Sequence, residues 1–463
     1  MFYKVFAGDK AACAVQSESI FNGEMMPNQS SSEPQWAAYV AIDWADREHV
    51  WEMQPVEGGP CESGKVEQTP EAIEIWASQL ATRFNGRPIA VALEQSRGPV
   101  VFSLTKYSHL HLFPVHPSTL AHFREAMVPS GAKNDPGDTR LLLELLLHHR
   151  ARLRRLQPDT EQTRELQFLV ENRRRLVDDR TYFSNRLIAQ LKLYFPQILR
   201  WFYKPASPVA CDFLLRWPTL EAAQKATPRA LKTFFAKHNC QDVERRMEEV
   251  RKAVCATHDQ AVIRSAMIMV QATVRLIQTV HQDISHCEER IEQLTKSHPD
   301  FAIFDSLPGA GDALIPRLIA ALGTQRDRFA SAVEIQSYSG VAPVVKQSGN
   351  TKLTHCRQAY PRFLRQTFHE WALHSILKST WARAYYERQL SRGKKHHTAI
   401  RALAYKWIRI LYRCWKDRLP YVESFHGDAQ KKRSAENVST QNAVVELQCK
   451  KVAGFIKVVA VNY

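Results

Sequence analysis

The sequence predicts an α/β domain followed by an all-α region, and three observations lead to this fold class. Short apolar runs at residues 37–42, 88–93 and 109–115 alternate with helix-like segments, a pattern typical of a sheet buried on both faces. From about residue 158 to 297 there is little glycine and repeated helical periodicity. At 463 residues the chain is too long for one core, so we expect two or three domains.

Composition divides the chain into five segments. Residues 1–35 are expected to be a disordered or non-native extension, and 36–150 form the α/β domain. Residues 151–300 are expected to be a helical coiled-coil region, with long helices at 161–193 and 242–294 and an insertion near 204–237. Residues 301–424 form a mostly helical domain that includes an apolar helix at 313–322. Residues 425–463 form a tail with a predicted strand at 455–461.

Charge is distributed unevenly along the chain. The 63 lysines and arginines exceed the 47 acids, for a net charge of +16. Residues 36–145 carry nine basic residues against fourteen acids, a net of −5, whereas residues 361–418 carry fourteen against three, a net of +11. The C-terminal excess predicts a polyanionic partner, although charge alone does not separate DNA from RNA or an acidic membrane. No run of about eighteen apolar residues occurs, so no membrane span is expected.

The nine cysteines are widely spaced and include no C-x-x-C pair. Neither a disulfide framework nor a cysteine-ligated zinc site is therefore predicted. Reduced thiols in a cytosolic protein are the expectation.

Four acids form the strongest candidate site. Asp43 and Glu94 each end an apolar strand, at the sheet edge where α/β proteins bind ligands. Asp135 and Asp138 lie in the first turn of a predicted helix, and their spacing puts both on one side of it. Convergent carboxylates repel unless hard cations separate them, so the set predicts Mg²⁺ or Mn²⁺ acting on a phosphodiester. Taken singly, each acid is also a common turn or helix-cap residue.

Further motifs indicate contact with nucleic acid. Gly309 and Gly311 precede a helix, where backbone N–H groups can approach a phosphate as in helix-hairpin-helix modules. Ser348 lies in a polar loop, where a serine before glycine is usually a turn residue, and no histidine lies within helical reach as its base. Aromatics interleaved with the C-terminal cations are more often core than base-stacking platforms. The side chains expected to bind nucleic acid are Lys133, Lys346, Arg362, Arg365, Lys394 and Lys395.

The order of these motifs resembles that of the DEDD transposases of bacterial insertion sequences, the IS110 family, described as bridge-RNA-guided recombinases. The resemblance covers roughly residues 36–150 and 300–424. The matching pieces are Ala41-Ile42-Asp43, Leu93-Glu94, Lys133-Asn134-Asp135-Pro136-Gly137-Asp138, Leu307-Pro308-Gly309-Ala310-Gly311, Tyr338-Ser339-Gly340-Val341-Ala342-Pro343, Gln347-Ser348-Gly349 and Gly393-Lys394-Lys395-His396.

The resemblance implies a RuvC-like N-terminal domain with an RNase H fold, whose four DEDD acids hold Mg²⁺. It implies that a C-terminal transposase domain supplies Ser348, which attacks DNA and forms a covalent phosphoserine link. The implied partners are the DNA of the element ends and target, a structured guide RNA and further copies of the chain. The implied location is the bacterial cytoplasm, at the nucleoid.

Two other functions stay open on the sequence. A RuvC-like nuclease would use the same acids with water as nucleophile and form no covalent intermediate. A non-catalytic nucleic-acid-binding protein would use the acids only as caps and turns.

Overall fold

The computed structural model describes residues 34–127, 135–358 and 360–424, which fall into two compact units divided between residues 158 and 159. The predicted N-terminal extension up to residue 33 lies outside the described residues. So do Lys133 and the tail from residue 425 with its predicted strand.

The first unit is a five-stranded mixed sheet with helices on both faces. Its elements are β1 (Ala38–Asp43), β2 (Glu48–Pro55), β3 (Glu62–Glu67), α1 (Pro70–Arg83), β4 (Ile89–Leu93), α2 (Pro99–Leu104), β5 (Leu110–Pro114), α3 (Pro117–Met127) and α4 (Asp135–His149). The strand order is β3-β2-β1-β4-β5, in which β1 pairs antiparallel with β2 and parallel with β4. This arrangement is compatible with an RNase H-like fold.

The three apolar strands predicted from the sequence are confirmed as β1, β4 and β5. Every residue of β4 is buried because α1 and α2 cover one face of the sheet while α3 and α4 cover the other. On the α4 face, Leu142 and Leu146 pack with Ala41 and Ala90 in one core. Strands β2 and β3 were not predicted: they mix charged and apolar residues, and β3 is largely exposed at the sheet edge.

The second unit is mostly helical and contains one two-stranded sheet. Its elements are α5 (Glu161–Tyr194), α6 (Ile198–Trp201), α7 (Pro208–Arg216), α8 (Leu220–Gln224), α9 (Pro228–Lys237), α10 (Val243–Lys252), α11 (Gln260–Lys296), α12 (Phe301–Asp305), α13 (Gly311–Leu322), α14 (Ala332–Tyr338), β6 (Val344–Ser348), β7 (Thr351–His355), α15 (Arg362–Lys378), α16 (Thr380–Ser391) and α17 (His396–Asp417).

Helices α5 and α11 pack antiparallel along their length. The ion pairs of Glu165 with Arg290 and of Arg173 with Glu288 link the start of α5 to the end of α11. The segment predicted as an insertion contains α7–α9, whose aromatic residues pack around the start of α11 and the end of α5.

The single helix predicted over residues 242–294 is wrong. The chain forms α10 and α11 instead, separated by residues 253–259. Asp259 is the N-cap of α11. Its carboxylate accepts hydrogen bonds from the backbone N–H groups of Ala261 and Val262, so the new helix begins after residue 259.

Helix α11 bears on the expectation of no membrane span without overturning it. By length and composition it is apolar enough to cross a membrane, and it is the one such helix among the described residues. Buried residues near its start belong to one helical core of the second unit, and buried residues near its end belong to the other. A core helix of a bundle passes the same test, so this helix is weak evidence for a membrane.

Tryptophans of the basic C-terminal segment lie in one of the two cores of the second unit. Trp371, Trp407 and Trp415 are fully buried, and the Trp407 indole donates a 2.7 Å hydrogen bond to the Ser375 hydroxyl. These aromatic residues therefore have the packing role that their helical spacing favours. The seven cysteines that the structure describes are free thiols, as expected.

Candidate active site and nucleic-acid surface

Asp43 and Glu94 lie at one edge of the first unit's sheet. Strands β1 and β4 are parallel neighbours with Ile42 opposite Leu93, so the next residue on each strand is an acid. Both carboxylates are half-buried. The structure therefore brings these two acids together at the carboxyl ends of adjacent strands, where ligands bind in open α/β sheets.

Asp138 lies in the first turn of α4 and is buried, with 5% of the residue exposed. Its carboxylate accepts from the Arg124 guanidinium, with Nε at 2.7 Å and Nη2 at 2.6 Å from Oδ1. Arg124 comes from α3, so this buried ion pair joins α3 to α4. Asp135 begins α4, and its side chain lies outside the described residues.

The donor chemistry of these acids suits a hard cation, because carboxylate oxygens are the ligands that Mg²⁺ and Mn²⁺ prefer. Within residues 34–127, 135–358 and 360–424, however, no three His, Cys, Asp or Glu side chains form a metal-binding group. The positive charge beside Asp138 is the Arg124 guanidinium. Sequence reasoning missed Arg124 because no spacing links a cation on α3 to an acid fourteen residues later.

Ser348 ends β6 at the tip of a β-hairpin, which corrects the polar loop expected from the sequence. It pairs with Thr351 across a two-residue turn, and its side chain is exposed. Gly349 opens this turn with φ +54°, the positive value that tight hairpin turns require at that position. Lys346 is exposed on the same strand.

Gly309, which precedes α13, and Gly311, its first residue, have different surroundings. A Cβ at Gly309 would lie 2.6 Å from the carbonyl carbon of His374, on α15, and Gly309 has φ +77°. The Trp371 indole of the same helix donates to the Pro308 carbonyl at 3.2 Å. Gly309 therefore allows close packing against α15, whereas a Cβ at Gly311 would meet open space.

The motif at residues 338–343 supports an aromatic platform. A Cβ at Gly340 would lie 2.5 Å from the ring of Tyr360, so only glycine allows this ring to pack there. The Arg365 guanidinium lies over the Tyr360 ring, 4.3 Å from its centroid. Arg365, predicted to bind nucleic acid, is thus held in a defined position.

The remaining predicted nucleic-acid-binding residues lie at the ends of the last helices. Arg362 is the exposed first residue of α15. Lys394 and Lys395 join α16 to α17, with Lys395 as the residue that precedes the first turn of α17. Nothing in the structure assigns them a ligand, and their binding role stays a prediction.

Two protein-family models match the chain, one in each half. A DEDD transposase model of the IS110 group matches residues 40–196, a span that includes Asp43, Glu94, Asp135 and Asp138. A model described as Transposase IS116/IS110/IS902 family matches residues 302–387, which include Ser348.

Similar proteins also come from insertion elements. A Streptomyces coelicolor mini-circle protein assigned as the transposase for IS117 is 25% identical over 402 residues, which cover 84% of this chain and 97% of the relative. The uncharacterized 43.6 kDa protein of insertion element IS110 from the same species is 27% identical over 63% of this chain and 72% of its own. The uncharacterized 42 kDa protein of IS900 from Mycobacterium paratuberculosis is 26% identical over 56% of this chain and 65% of its own.

The mixed sheet with its acidic edge and the basic helical unit, together with these matches, define the class of protein: a DNA transposase, an enzyme whose substrate is DNA. A DEDD-type domain also suggests the use of a divalent metal in general. Within this class, the chain belongs to the IS110 family of DEDD transposases.

Proposed function

We propose that this transposase excises and integrates an insertion sequence through a covalent serine–DNA intermediate. The observation that carries the proposal is the position of Ser348, an exposed hydroxyl at the tip of a two-stranded hairpin in a basic unit. A nucleophile at the tip of a hairpin can reach a phosphodiester of DNA while the rest of the unit binds the DNA through its sugar-phosphate backbone.

In the proposed step, Ser348 Oγ attacks the phosphorus of one DNA phosphodiester. A bond forms between Oγ and phosphorus while the bond from phosphorus to one deoxyribose oxygen breaks. The serine hydroxyl gives up its proton, and the released DNA hydroxyl gains one. The phosphoserine ester conserves the bond, so a second DNA hydroxyl can reverse the step and join strands without ATP.

We assign the acids of the RuvC-like domain to the metal. Asp43, Glu94, Asp135 and Asp138 would hold Mg²⁺ or Mn²⁺, which when bound stabilises negative charge on the phosphate oxygens. Arg124 positions the Asp138 carboxylate in the metal-free protein through their buried ion pair. The half-buried positions of Asp43 and Glu94 leave their carboxylates at the edge of the sheet, where a phosphate can approach.

We assign the C-terminal cations that were predicted to bind nucleic acid, Lys346, Arg362, Arg365, Lys394 and Lys395, to phosphate binding. The net charge of +11 over residues 361–418 supports contact with DNA at the element ends and target, and with a structured guide RNA. The antiparallel α5–α11 pair, proposed as a coiled coil, would contribute to a homo-oligomer. An enzyme with these substrates would work in the bacterial cytoplasm, at the nucleoid.

A denaturing gel tests the proposal. Labelled DNA with the element's ends is incubated with wild type, Ser348→Ala and Thr351→Ala, and protein-linked DNA is separated after denaturation. Thr351→Ala is the matched control, because it removes a hydroxyl from the residue opposite Ser348 in the same hairpin. Adducts are expected with wild type and the control; equal trapping by Ser348→Ala would remove this serine from the mechanism.

A RuvC-like nuclease with water as nucleophile is the second candidate. It is favoured by one observation: no histidine or carboxylate among the described residues hydrogen-bonds to Ser348 as a base. DNA cut by the wild type with no attached protein, at an unchanged rate in Ser348→Ala, would support this alternative.

A further inference from the structure

Helices α15 and α17 bring four cationic or titratable side chains together. Arg365 and His369 are one turn apart on α15, and His397 and Arg401 are one turn apart on α17. The positive charges of Arg365, Arg401 and His397 all act on His369. Burial, together with these charges, lowers the pKa of His369 to about 4.

This cluster, the α15–α17 cation cluster, contains buried nitrogen atoms with no partner among the described residues. These atoms are Nε2 of His369 and Nε of Arg401. Arg401 Nη1 lies 2.7 Å from the Cys356 sulfur, a weak acceptor that does not neutralise the guanidinium. Each unmet buried donor costs about 1–3 kcal/mol. Arg401 Nε, together with His369 Nε2 in the tautomer that carries its proton there, therefore indicates an acceptor that the described residues do not supply.

The carboxylate nearest in sequence is already engaged elsewhere. Glu370 follows His369 on α15, but it pairs with Arg317 and accepts a 2.6 Å hydrogen bond from Gln366. Burial alone would raise the pKa of Glu370, yet these partners lower it below its usual value. No acid is among the groups whose charges act on His369. An external anion could supply the acceptor that the described residues lack.

The cluster is joined to the hairpin that carries Ser348. Cys356, the partner of Arg401, directly follows β7, so the cluster lies at the base of the hairpin. The next residue, Arg357, also has a buried Nε with no partner in the described part of the chain. Ser348 is four residues from this base along β6, about 13 Å at the usual rise of a strand.

We infer that the α15–α17 cation cluster binds a backbone phosphate of DNA. Phosphate oxygens accept several charge-assisted hydrogen bonds at once, which matches the unmet nitrogens of Arg401 and His369. The stacking of Arg365 on Tyr360 fixes one further cation at the site before DNA arrives. Because Ser348 lies about 13 Å along β6 from the base of the hairpin, where Arg401 contacts Cys356, the bound phosphate would belong to the same stretch of DNA as the phosphate that reacts. This position rests on the proposed function, in which the hairpin carries the nucleophile.

The test measures binding of a fluorescent duplex DNA of mixed sequence at several salt concentrations, with every protein carrying Ser348→Ala so that no chemistry contributes. Arg401→Gln is expected to bind on the order of tenfold more weakly, with the slope of log affinity against log salt reduced by about one. Arg413→Gln is the matched control, since it removes one charge from α17 at a side chain that is 81% exposed. The slope of log affinity against log salt is expected to change less than half as much in Arg413→Gln as in Arg401→Gln.

Three results would overturn the inference. The first is an equal slope for Arg401→Gln and Arg413→Gln. The second is that Arg401→Gln loses affinity for single-stranded RNA but not for duplex DNA, which would assign the site to RNA. The third is that inorganic phosphate raises the melting temperature of the protein with the unsubstituted cluster, while Arg401→Gln binds DNA as well as that protein does. This result would indicate a site for a free anion.

A second variant guards against misfolding. If Arg401→Gln lowers the melting temperature, His369→Leu replaces it with the same control, and it is expected to weaken binding without changing the salt slope, because a histidine with a pKa of about 4 is uncharged at neutral pH. Failure of serine trapping leaves this binding result unaffected, so the two proposals fail separately.

Discussion

The ion pair between Arg124 and Asp138 is the clearest residue-scale contact in the candidate metal site. With 7% of the Asp138 side chain and 16% of the Arg124 side chain exposed, solvent screens the pair only weakly. A buried carboxylate needs either this guanidinium or another cation beside it. A metal ion bound by Asp138 would therefore take over part of the role of Arg124.

Arg124→Gln is expected to destabilise the metal-free protein by about 2–4 kcal/mol, because it leaves a buried carboxylate without its cation. Added Mg²⁺ should raise the melting temperature of this variant more than that of the wild type. Arg140→Gln on α4, where the pair with Glu144 is exposed and 3.9 Å long, should change stability by less than about 0.5 kcal/mol. Equal responses to Mg²⁺ in Arg124→Gln and wild type would argue against a metal at Asp138.

The pH dependence of stability tests the burial of His369. Its pKa is about 4 in the folded protein against 6.5 ordinarily, lowered by burial and by Arg365, Arg401 and His397. Between pH 4 and pH 6.5 the unfolded chain binds more protons at His369 than the folded protein does. The contribution of His369 to the free energy of unfolding is therefore fully present above pH 6.5 and is lost as the pH falls toward 4.

His369→Gln should remove up to about 3 kcal/mol of this acid sensitivity, because each pKa unit corresponds to about 1.4 kcal/mol. Denaturant melts of both proteins across this pH range, without DNA, measure the difference. Parallel curves for the two proteins would show that His369 titrates normally.

At the scale of elements, the contact of the Pro308-Gly309 segment with α15 determines how the second unit packs. Gly309→Ala is expected to cost about 2–4 kcal/mol, since it adds a clash with the α15 backbone to a positive φ. Gly311→Ala, which meets open space at φ +54°, should cost about 1 kcal/mol. Denaturant unfolding followed by tryptophan fluorescence gives both values; a larger loss for Gly311→Ala would contradict the packing role.

Elements with a continuous apolar pattern could be predicted from the sequence, and those held by local polar contacts could not. β4 follows from an unbroken apolar run, and α13 follows from an apolar run at 313–322 that only Arg317 interrupts. The β6–β7 hairpin has mostly exposed strands, so only its backbone ladder and the Gly349 turn define it. The break before α11 depends on the Asp259 cap, which is easily overlooked inside a long helical pattern.

The residues of the candidate site also divide into those that could be predicted from the sequence and those that could not. Asp43 and Glu94 could be predicted because adjacent parallel strands end at one edge. Arg124 and the α15–α17 cation cluster could not, because they join residues whose proximity depends on how helices pack.

At the scale of the whole molecule, the division at residue 158 predicts separate unfolding of the two units. Ile89→Ala and Leu403→Ala each remove a buried side chain from one unit's core and should cost that unit about 2–5 kcal/mol. Calorimetry of the full chain should show each variant lowering a different transition. One transition that both variants shift equally would mean that the units unfold together.

The two units also differ in charge, with −5 over residues 36–145 and +11 over residues 361–418. Acids that would hold cations thus lie in one unit, and bases that would hold phosphates lie in the other. The proposed chemistry requires both, because Ser348 belongs to the basic unit and the DEDD acids to the acidic one.

The central claim is that Ser348 becomes covalently joined to DNA, and mass spectrometry of the trapped complex tests it most directly. After nuclease and protease digestion, the account predicts a nucleotide phosphate attached to the peptide that contains Ser348, and no such adduct in Ser348→Ala. A nucleotide attached to any other residue, or fully cut DNA with no modified peptide, would contradict the claim.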